Sequence, residues 1–452
     1  MTAKTRAIPS LHRDSFSAKE PGLYPVLASG NTTSPFCRAV RLSNNLTAMR
    51  ISLLIIITLC SAFFIGCKHP ITKVPTVKFF HINVDSSQDF IDLKLSDLAD
   101  SFRLVRLETS DRAIINANDY YVSEKYIIAF SQDGIYKFSS DGKFIKKIIS
   151  WGRGPDEISG FLFGHFYDEK NDLLYIDDVN LNKKLLVYDL NLEIFLSPIK
   201  KAIEGSWGSF AIYNDSLIIG KSPSYSAEPY ALFFQTFDGK FVYGIPNVKK
   251  RLLGQNPEET FQSTNISIGK NICRVSFELD DTLFTLKNNH LVPYISLDFN
   301  NPREKPPNAV IKKGDREISF PKIEASSFLI IGVSIIDEII WETPTAGRSK
   351  KTRKYLFFNK STGKYSNIRT YVDNFSGVIQ SPNDGSIKFP LVIKNGKLVV
   401  IYQPQMVKQI VYKGLDNTIF STALNEELLK VSQNLQETDN PILLIGKIKE
   451  KI

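Results

Sequence analysis

Between residues 126 and 402, short apolar runs alternate with polar positions and are broken at near-regular intervals by Asp, Asn and Gly. Runs of this length and period read as buried or half-buried β-strands. Five pairs of runs have the pattern of hairpins, over 135–145, 185–195, 232–242, 283–292 and 355–365. Their turn residues Asp141, Asn191, Asp238, Asn288 and Thr362 lie 50, 47, 50 and 74 positions apart. Tight hairpin turns need positive φ, which Asp, Asn and Gly tolerate. Each hairpin follows another apolar strand, at 126–130, 173–176, 217–219, 272–277 and 335–341, and a sixth unit occupies 391–402. The long last interval holds a Pro- and charge-rich stretch, 300–325 with Pro302, Pro306 and Pro307, which is expected to be an insertion.

Repeats of about 40–50 residues with several strands each are the pattern of propeller blades, which bury their faces only by stacking around a ring. The expectation is therefore an all-β chain: a six-bladed β-propeller of four-stranded antiparallel blades over 77–452. The segments 79–84 and 102–107 are each apolar enough to add a strand to the last blade and cover its edge. Residues 425–436 have a helix-like period, and 440–446 reads as a closing strand.

The N-terminal 76 residues do not share this pattern. Met49-Arg50 leads into an uncharged apolar run, 51–65, then Gly66-Cys67 and polar Lys68-His69. A charged start, a short apolar stretch and a small residue at the cut describe a secretory signal peptide over 49–66. The run is short for a membrane-spanning helix, which needs about 20 apolar residues. Phe64-Ile65-Gly66-Cys67 resembles the bacterial lipobox, although Phe64 stands where Leu is usual. In that chemistry Cys67 supplies the thiol for a diacylglyceryl group and Gly66 the small residue before the cut. Cys67 is thus the expected lipid attachment residue, followed by a tether over 67–76 with Pro70 and Pro75. The expected location is the bacterial cell envelope, at the outer membrane. Residues 1–48 precede an internal Met with its own signal, and are expected to be a start assigned too early or a disordered extension.

Charge changes the picture little. The net charge is +9, but residues 1–66 hold seven Lys/Arg against two acids, leaving +4 over the rest. That is not the concentrated basic footprint of a nucleic-acid binder, and no nucleic-acid partner is expected. Cys273 is the single cysteine after Cys67, so no internal disulfide is expected in the mature chain.

Four segments resemble the six-bladed β-propeller lipoproteins common in Bacteroidota, which are related to NHL-repeat propellers. They are Leu93-Lys94-Leu95-Ser96-Asp97-Leu98 with Val105-Arg106-Leu107-Glu108-Thr109; Trp151-Gly152-Arg153-Gly154-Pro155-Asp156-Glu157; Pro293-Tyr294-Ile295-Ser296-Leu297-Asp298-Phe299; and Asp439-Asn440-Pro441-Ile442-Leu443. The segment from Trp151 to Glu157 resembles that family's Gly-x-Gly-Pro-x-Glu inter-blade loop. The resemblance implies fold and export, and carries no agreed activity or catalytic set.

Chemistry-bearing motifs are sparse. The five histidines are scattered, and no HExxH, CxxC, Gly-x-Ser-x-Gly or phosphate-binding Gly loop occurs. No catalytic residue, transition-metal site or cofactor is expected, with a divalent cation in the channel left open. The candidate binding residues are Trp151, Arg153, Asp156 and Glu157, as an indole, a guanidinium and two carboxylates on one loop. The same loop reads more readily as an inter-blade crossover whose glycines permit a sharp path. Asp177-Asp178 could face the channel as cation ligands or close an Asx turn. The favoured expectation is a binding or scaffolding module at the cell envelope that holds a protein or glycan partner. Alternatives are a propeller enzyme, such as a lactonase-like hydrolase or a lyase, and a membrane-tethered sensor domain.

Overall fold

The computed structural model describes residues 78–450 except 87–88, 153–156, 159–161, 179–180, 182, 206, 208, 223–228, 253–259, 262–263, 270–271, 279, 301–308, 312, 342–346, 383–386, 394–395 and 417. The extension 1–48, the apolar segment 49–66, and Cys67 with its tether fall outside the described residues, as do Arg153 and Asp156.

Among the described residues the main sheets form six blades of a β-propeller. Blade 1 runs Ala117–Val122, Tyr126–Ser131, Gly134–Ser139 and Phe144–Trp151. Blade 2 runs Leu162–Asp168, Leu173–Asp178 and Lys184–Asp189, its fourth position shared by Ile194–Phe195 and Ile199–Lys200. Blade 3 comprises Ser209–Tyr213, Leu217–Lys221, Tyr230–Thr236 and Phe241–Pro246; blade 4, Thr264–Gly269, Ile272–Phe277, Thr282–Lys287 and His290–Asp298. Blade 5 has Arg316–Glu324, Phe328–Trp341, Gly347–Asn359 and Tyr365–Asp373. Blade 6 takes Leu391–Ile393, Lys397–Tyr402 and Ile442–Ile448 from the end of the chain, and Ala99–Arg106 from its beginning.

Period-two strands explain how each blade is glued on both faces. In blade 3, Ile218 and Phe233 pack into a cluster shared with blade 2, with Trp207, Tyr175 and Val187. Their neighbours Leu217, Ile219, Leu232 and Phe234 point the other way, against Cys273 and Val275 of blade 4. A sheet covered on both sides needs near-continuous apolar strands, which is why Leu232-Phe233-Phe234 occurs without a polar break. Hairpin turns follow the expected chemistry. Asn288 and Asn289 both have positive φ, 49° and 63°, matching the handedness of a two-residue turn. Gly142 sits at φ 92°, and a Cβ there would lie 2.2 Å from the Arg106 carbonyl oxygen.

The N-terminal part forms a belt. Phe80–Asn83 adds in parallel to the outer strand of blade 4, and Phe90–Lys94 to that of blade 5. Ala99–Arg106 then pairs antiparallel with Ile442–Ile448, closing the ring with Leu104 opposite Leu444. Of the two segments, either of which could supply the last blade, the second does so as Ala99–Arg106, and the first covers blade 4. Asn440 clasps this closure. Its side chain accepts from Ile115 N at 2.9 Å and donates to the carbonyls of Glu108 (2.8 Å) and Ala113, while its own N–H reaches Thr109 Oγ1 at 2.8 Å. Beside it Arg106 pairs with Asp439 at 2.7 Å.

The expected insertion over 300–325 needs correction. Arg316–Glu324 is the first strand of blade 5, and Ala309–Ile311 joins Lys249–Leu252 and Thr260–Phe261 in a small separate sheet. Prolines and charges do not mark the boundary, because the strand itself holds Arg316, Glu317, Pro321, Lys322 and Glu324. In blade 6 the helix-like period over 425–436 corresponds to helix Thr422–Ser432, and the closing strand is Ile442–Ile448; a further helix, Pro404–Lys413, shares the connection between the second and third strands. The two helices bury Val407, Ile410, Leu424 and Leu428 in the core shared by blades 5 and 6.

Strand direction makes the two ends of the ring unequal. Connections between strands 1–2 of each blade, and 3–4 of blades 1 to 5, open at one end and include short turns such as 123–125 and 140–143. Connections between strands 2–3 and between blades open at the other end, where the strands ending at Trp151, Lys200, Pro246, Asp373 and Tyr402 hand over to longer connections. We call these the turn end and the loop end.

Candidate functional site

In a propeller the first strand of each blade lines the central channel, and here the first strands of blades 2 and 3, 3 and 4, and 4 and 5 are in contact. Blades 1 and 2 bring two titratable side chains together on these strands. Asp119 Oδ2 lies 3.4 Å from His165 Nε2, with the carboxylate side chain 51% and the imidazole 18% exposed. A break in strand register between Ala117 and Asp119 skips Asn118. Bulges of this kind bend a strand and re-aim the side chain beside them.

The imidazole is held on every side. Its ring stacks on Phe130, with centroids 3.7 Å apart and planes 13° from parallel, and meets Tyr121 edge-on. The Tyr121 hydroxyl donates to the His165 carbonyl at 3.0 Å, and His165 Nδ1 lies 3.3 Å from the same hydroxyl oxygen. Asp119 Oδ1 accepts from Tyr120 N at 2.8 Å. Burial shapes both groups: it pushes the Asp119 carboxyl up to about 6, partly offset by the Tyr120 N–H, and the His165 imidazole down to about 4.

The candidate loop begins as the last residue of an outer strand. Trp151 is half-buried against the cluster between blades 1 and 2; its Nε1–H donates to Ser131 O at 3.1 Å, and its backbone N–H to Asp133 O at 3.3 Å. Gly152 N–H donates to Ile158 O at 2.8 Å, and the Glu157 carboxylate occupies the place where a Cβ on Gly152 would stand. The indole donor is therefore engaged by the blade, while Glu157 is exposed at the loop end.

Asp177 faces neither the channel nor a terminal turn. It forms a fully buried ion pair with Lys201 at 2.5 Å and accepts from Trp207 N at 2.9 Å, pinning the crossover from blade 2 to blade 3. Burial raises the Asp177 carboxyl and lowers the Lys201 ammonium, while each partner opposes the shift of the other. Another buried cluster joins blades 4 and 5: Arg274 grips Glu324 with Nη2 to Oε1 at 2.8 Å, and Lys360 reaches the same Oε1 at 2.7 Å. Cys273 is buried beside it, its thiol pushed up to about 12 by burial. Among the described residues, no group of three or more His, Cys, Asp or Glu side chains is placed to hold a metal ion.

The family model described as a domain of unknown function, DUF4934, matches residues 79–447, which span the belt and all six blades. The chain belongs to that family. No curated protein matches it. This DUF4934 propeller is similar to the crystal structure of a Bacteroides fragilis protein described as exported, with TM-score 0.52 and 15% identity over 83% of this chain and 100% of that one. At that identity the likeness speaks for the fold. Lower similarity extends to U3-55K (TM-score 0.39, 10% identity, 77% of this chain and 99% of that one) and to the WD40 repeats of RRP9 (TM-score 0.36, 9% identity, 78% and 99%).

Sequence reasoning about the DUF4934 chain missed Asp119 and His165. The available signal was modest: a polar Asn118-Asp119 pair opening one strand, and one histidine inside the aromatic run Phe163-Gly164-His165-Phe166-Tyr167.

Proposed function

We propose that the protein is an exported, lipid-anchored member of the Bacteroidota propeller lipoproteins, and that it holds a protein or glycan partner at its loop end. The observation that carries this reading is the inequality of the two ends. Tight turns close one end, whereas the inter-blade crossovers and the helical connection of blade 6 start and finish at the other, and two of those crossovers supply the strands of the small extra sheet. Loops set on a rigid scaffold are where binding residues concentrate. The lipobox-like ending at Gly66-Cys67 and the likeness to an exported protein support a location outside the cytoplasm.

Two experiments test the two halves. Mass spectrometry should find the mature N-terminus at a lipidated Cys67, and Cys67→Ala should leave the protein unprocessed or free of the membrane. An unmodified N-terminus upstream of Cys67 refutes anchoring. A photo-crosslinking residue at Glu157, in cells, should yield a discrete adduct that the same residue at Asn289, on the turn end, does not. Equal adducts from both ends, or none from Glu157, refute the loop-end reading.

The alternative of a propeller enzyme finds its support in one place, the Asp119–His165 pair, because a carboxylate and an imidazole in contact are the groups that general acid–base chemistry uses.

A further inference from the structure

Among the described residues, burial lowers the ammonium of three lysines, Lys201, Lys221 and Lys360. For two of them the chain supplies the counter-charge: Lys201 meets Asp177 at 2.5 Å, and Lys360 meets Glu324 at 2.7 Å. Lys221 differs. Among the described residues no hydrogen bond or ion pair reaches its ammonium, and burial is the single cause of its shift. A charge taken out of water without a partner is costly, so the missing anion needs a source.

Strand register shows what surrounds this lysine. Lys221 ends the second strand of blade 3 at the loop end, two residues after Ile219 and on the same face. Ile219 and Leu232, the latter opposite Lys221 in the third strand, share a cluster with Phe277 of blade 4. Phe277 pairs across strands with Thr264, the first residue of the channel strand of blade 4. Cross-strand partners share a face, so Lys221 and Thr264 project into one crevice between blades 3 and 4. Ser209, opposite Lys221 on the channel strand of blade 3, projects there too. Thr264 is 1% exposed, and its hydroxyl has no hydrogen-bond partner. Buried hydroxyls are as a rule satisfied. An ammonium and a hydroxyl, both lacking an acceptor, therefore face the same crevice. We propose that Lys221 and Thr264 form a carboxylate-binding subsite at the loop end, between blades 3 and 4, and that it takes the C-terminal carboxylate of a partner peptide chain.

The proposal rests on the loop-end reading and names the group that is held there. The ring itself shows how it satisfies a buried ammonium: the Asp177 carboxylate accepts from Lys201 through one oxygen and from Trp207 N–H through the other. A ligand carboxylate has the same two oxygens, one for Lys221 Nζ and one for Thr264 Oγ1. Charge argues against a phosphate, whose −1.5 to −2 would exceed the single lysine. The flanking Ile219, Leu232 and Phe277 suit the apolar side chain of a terminal residue, whereas a sugar acid would bury hydroxyls against them.

The purified protein is acetylated with limiting acetic anhydride, and each lysine is followed by peptide mass spectrometry. The probes are N-acetyl-leucyl-phenylalanine, its C-terminal amide, galacturonate and inorganic phosphate. We expect the dipeptide acid to shield Lys221 saturably and the amide not to, with Lys413, exposed on the helix of blade 6, unaffected by either. In calorimetry with the same acid, affinity should fall by about tenfold or more in Lys221→Met and by about tenfold in Thr264→Val. Thr264→Val should also keep or raise the urea midpoint, because a methyl replaces a hydroxyl that bonds nothing; a purely structural threonine would lower it and leave affinity alone. Absence of shielding by the acid, equal shielding by the amide, stronger shielding by galacturonate or phosphate, or unchanged affinity in Lys221→Met overturns the proposal. If shielding fails while the Glu157 crosslink still forms, the subsite falls and the loop-end reading stands.

Discussion

Asp119 and His165 should make stability depend on pH in opposite senses. The Asp119 carboxyl is raised from 3.8 to about 6, so its contribution is full below 3.8 and is lost as pH rises through 6. The His165 imidazole is lowered from 6.5 to about 4, so its contribution is full above 6.5 and is lost as pH falls through 4. Between pH 4 and 6.5 the two slopes oppose each other in the wild-type protein. Single isosteric changes expose them. Relative to wild type, Asp119→Asn should gain stability as pH rises from 4 to 6, because the ionisation it removes is unfavourable. Relative to wild type, His165→Gln should lose stability over the same rise. For His165, only 18% exposed, the full swing is at most about 3 kcal/mol. For Asp119, about half exposed, solvent screening reduces it to the order of 1 kcal/mol. Urea midpoints followed by circular dichroism at pH 4, 5, 6 and 7, in metal-free buffer, give both difference curves. Flat curves, or slopes of the same sign, would refute the reasoning.

Three further outcomes follow from other contacts. Asn440→Ala removes a side chain that satisfies three backbone groups at the ring closure, two of them buried; it should cost about 2–4 kcal/mol in urea denaturation, and a loss below about 0.5 would show that the clasp is dispensable. Lys201→Met leaves Asp177 buried without its partner and should cost about 3–5 kcal/mol, with most of the loss recovered in Lys201→Met/Asp177→Leu; a double variant no better than the single one would contradict this. Trp151→Ala should lower the melting temperature through lost packing and the lost bond to Ser131, and an unchanged melt would return the indole to the role of a free binding group.

Much of the fold was legible because its signals are local. Asp-Gly and Asn-Asn turns report their own backbone geometry, and a run such as Leu232-Phe233-Phe234 reports a strand covered on both faces. Errors arose where local chemistry and long-range pairing diverge. The prolines between 302 and 307 hid the start of Arg316–Glu324, and nothing in Phe80–Asn83 names blade 4 over blade 6 as its partner. The channel pair was illegible for the same reason: Asp119 and His165 each read as an isolated polar residue in its own strand, and only ring closure makes them neighbours. Trp151 shows the reverse case. Its loop has an unusual composition, yet the structure engages the indole donor in the blade itself.

The belt of N-terminal strands also defines how the ring would bear tension. A pull applied at residue 78 reaches Phe80–Asn83 first, then Phe90–Lys94, and only afterwards the strand Ala99–Arg106 that holds blade 6 shut. The first two are supernumerary edges whose detachment leaves every blade its four strands. Under such a pull they would come away in two steps, like a mechanical fuse, before any load arrived at the seam of the ring.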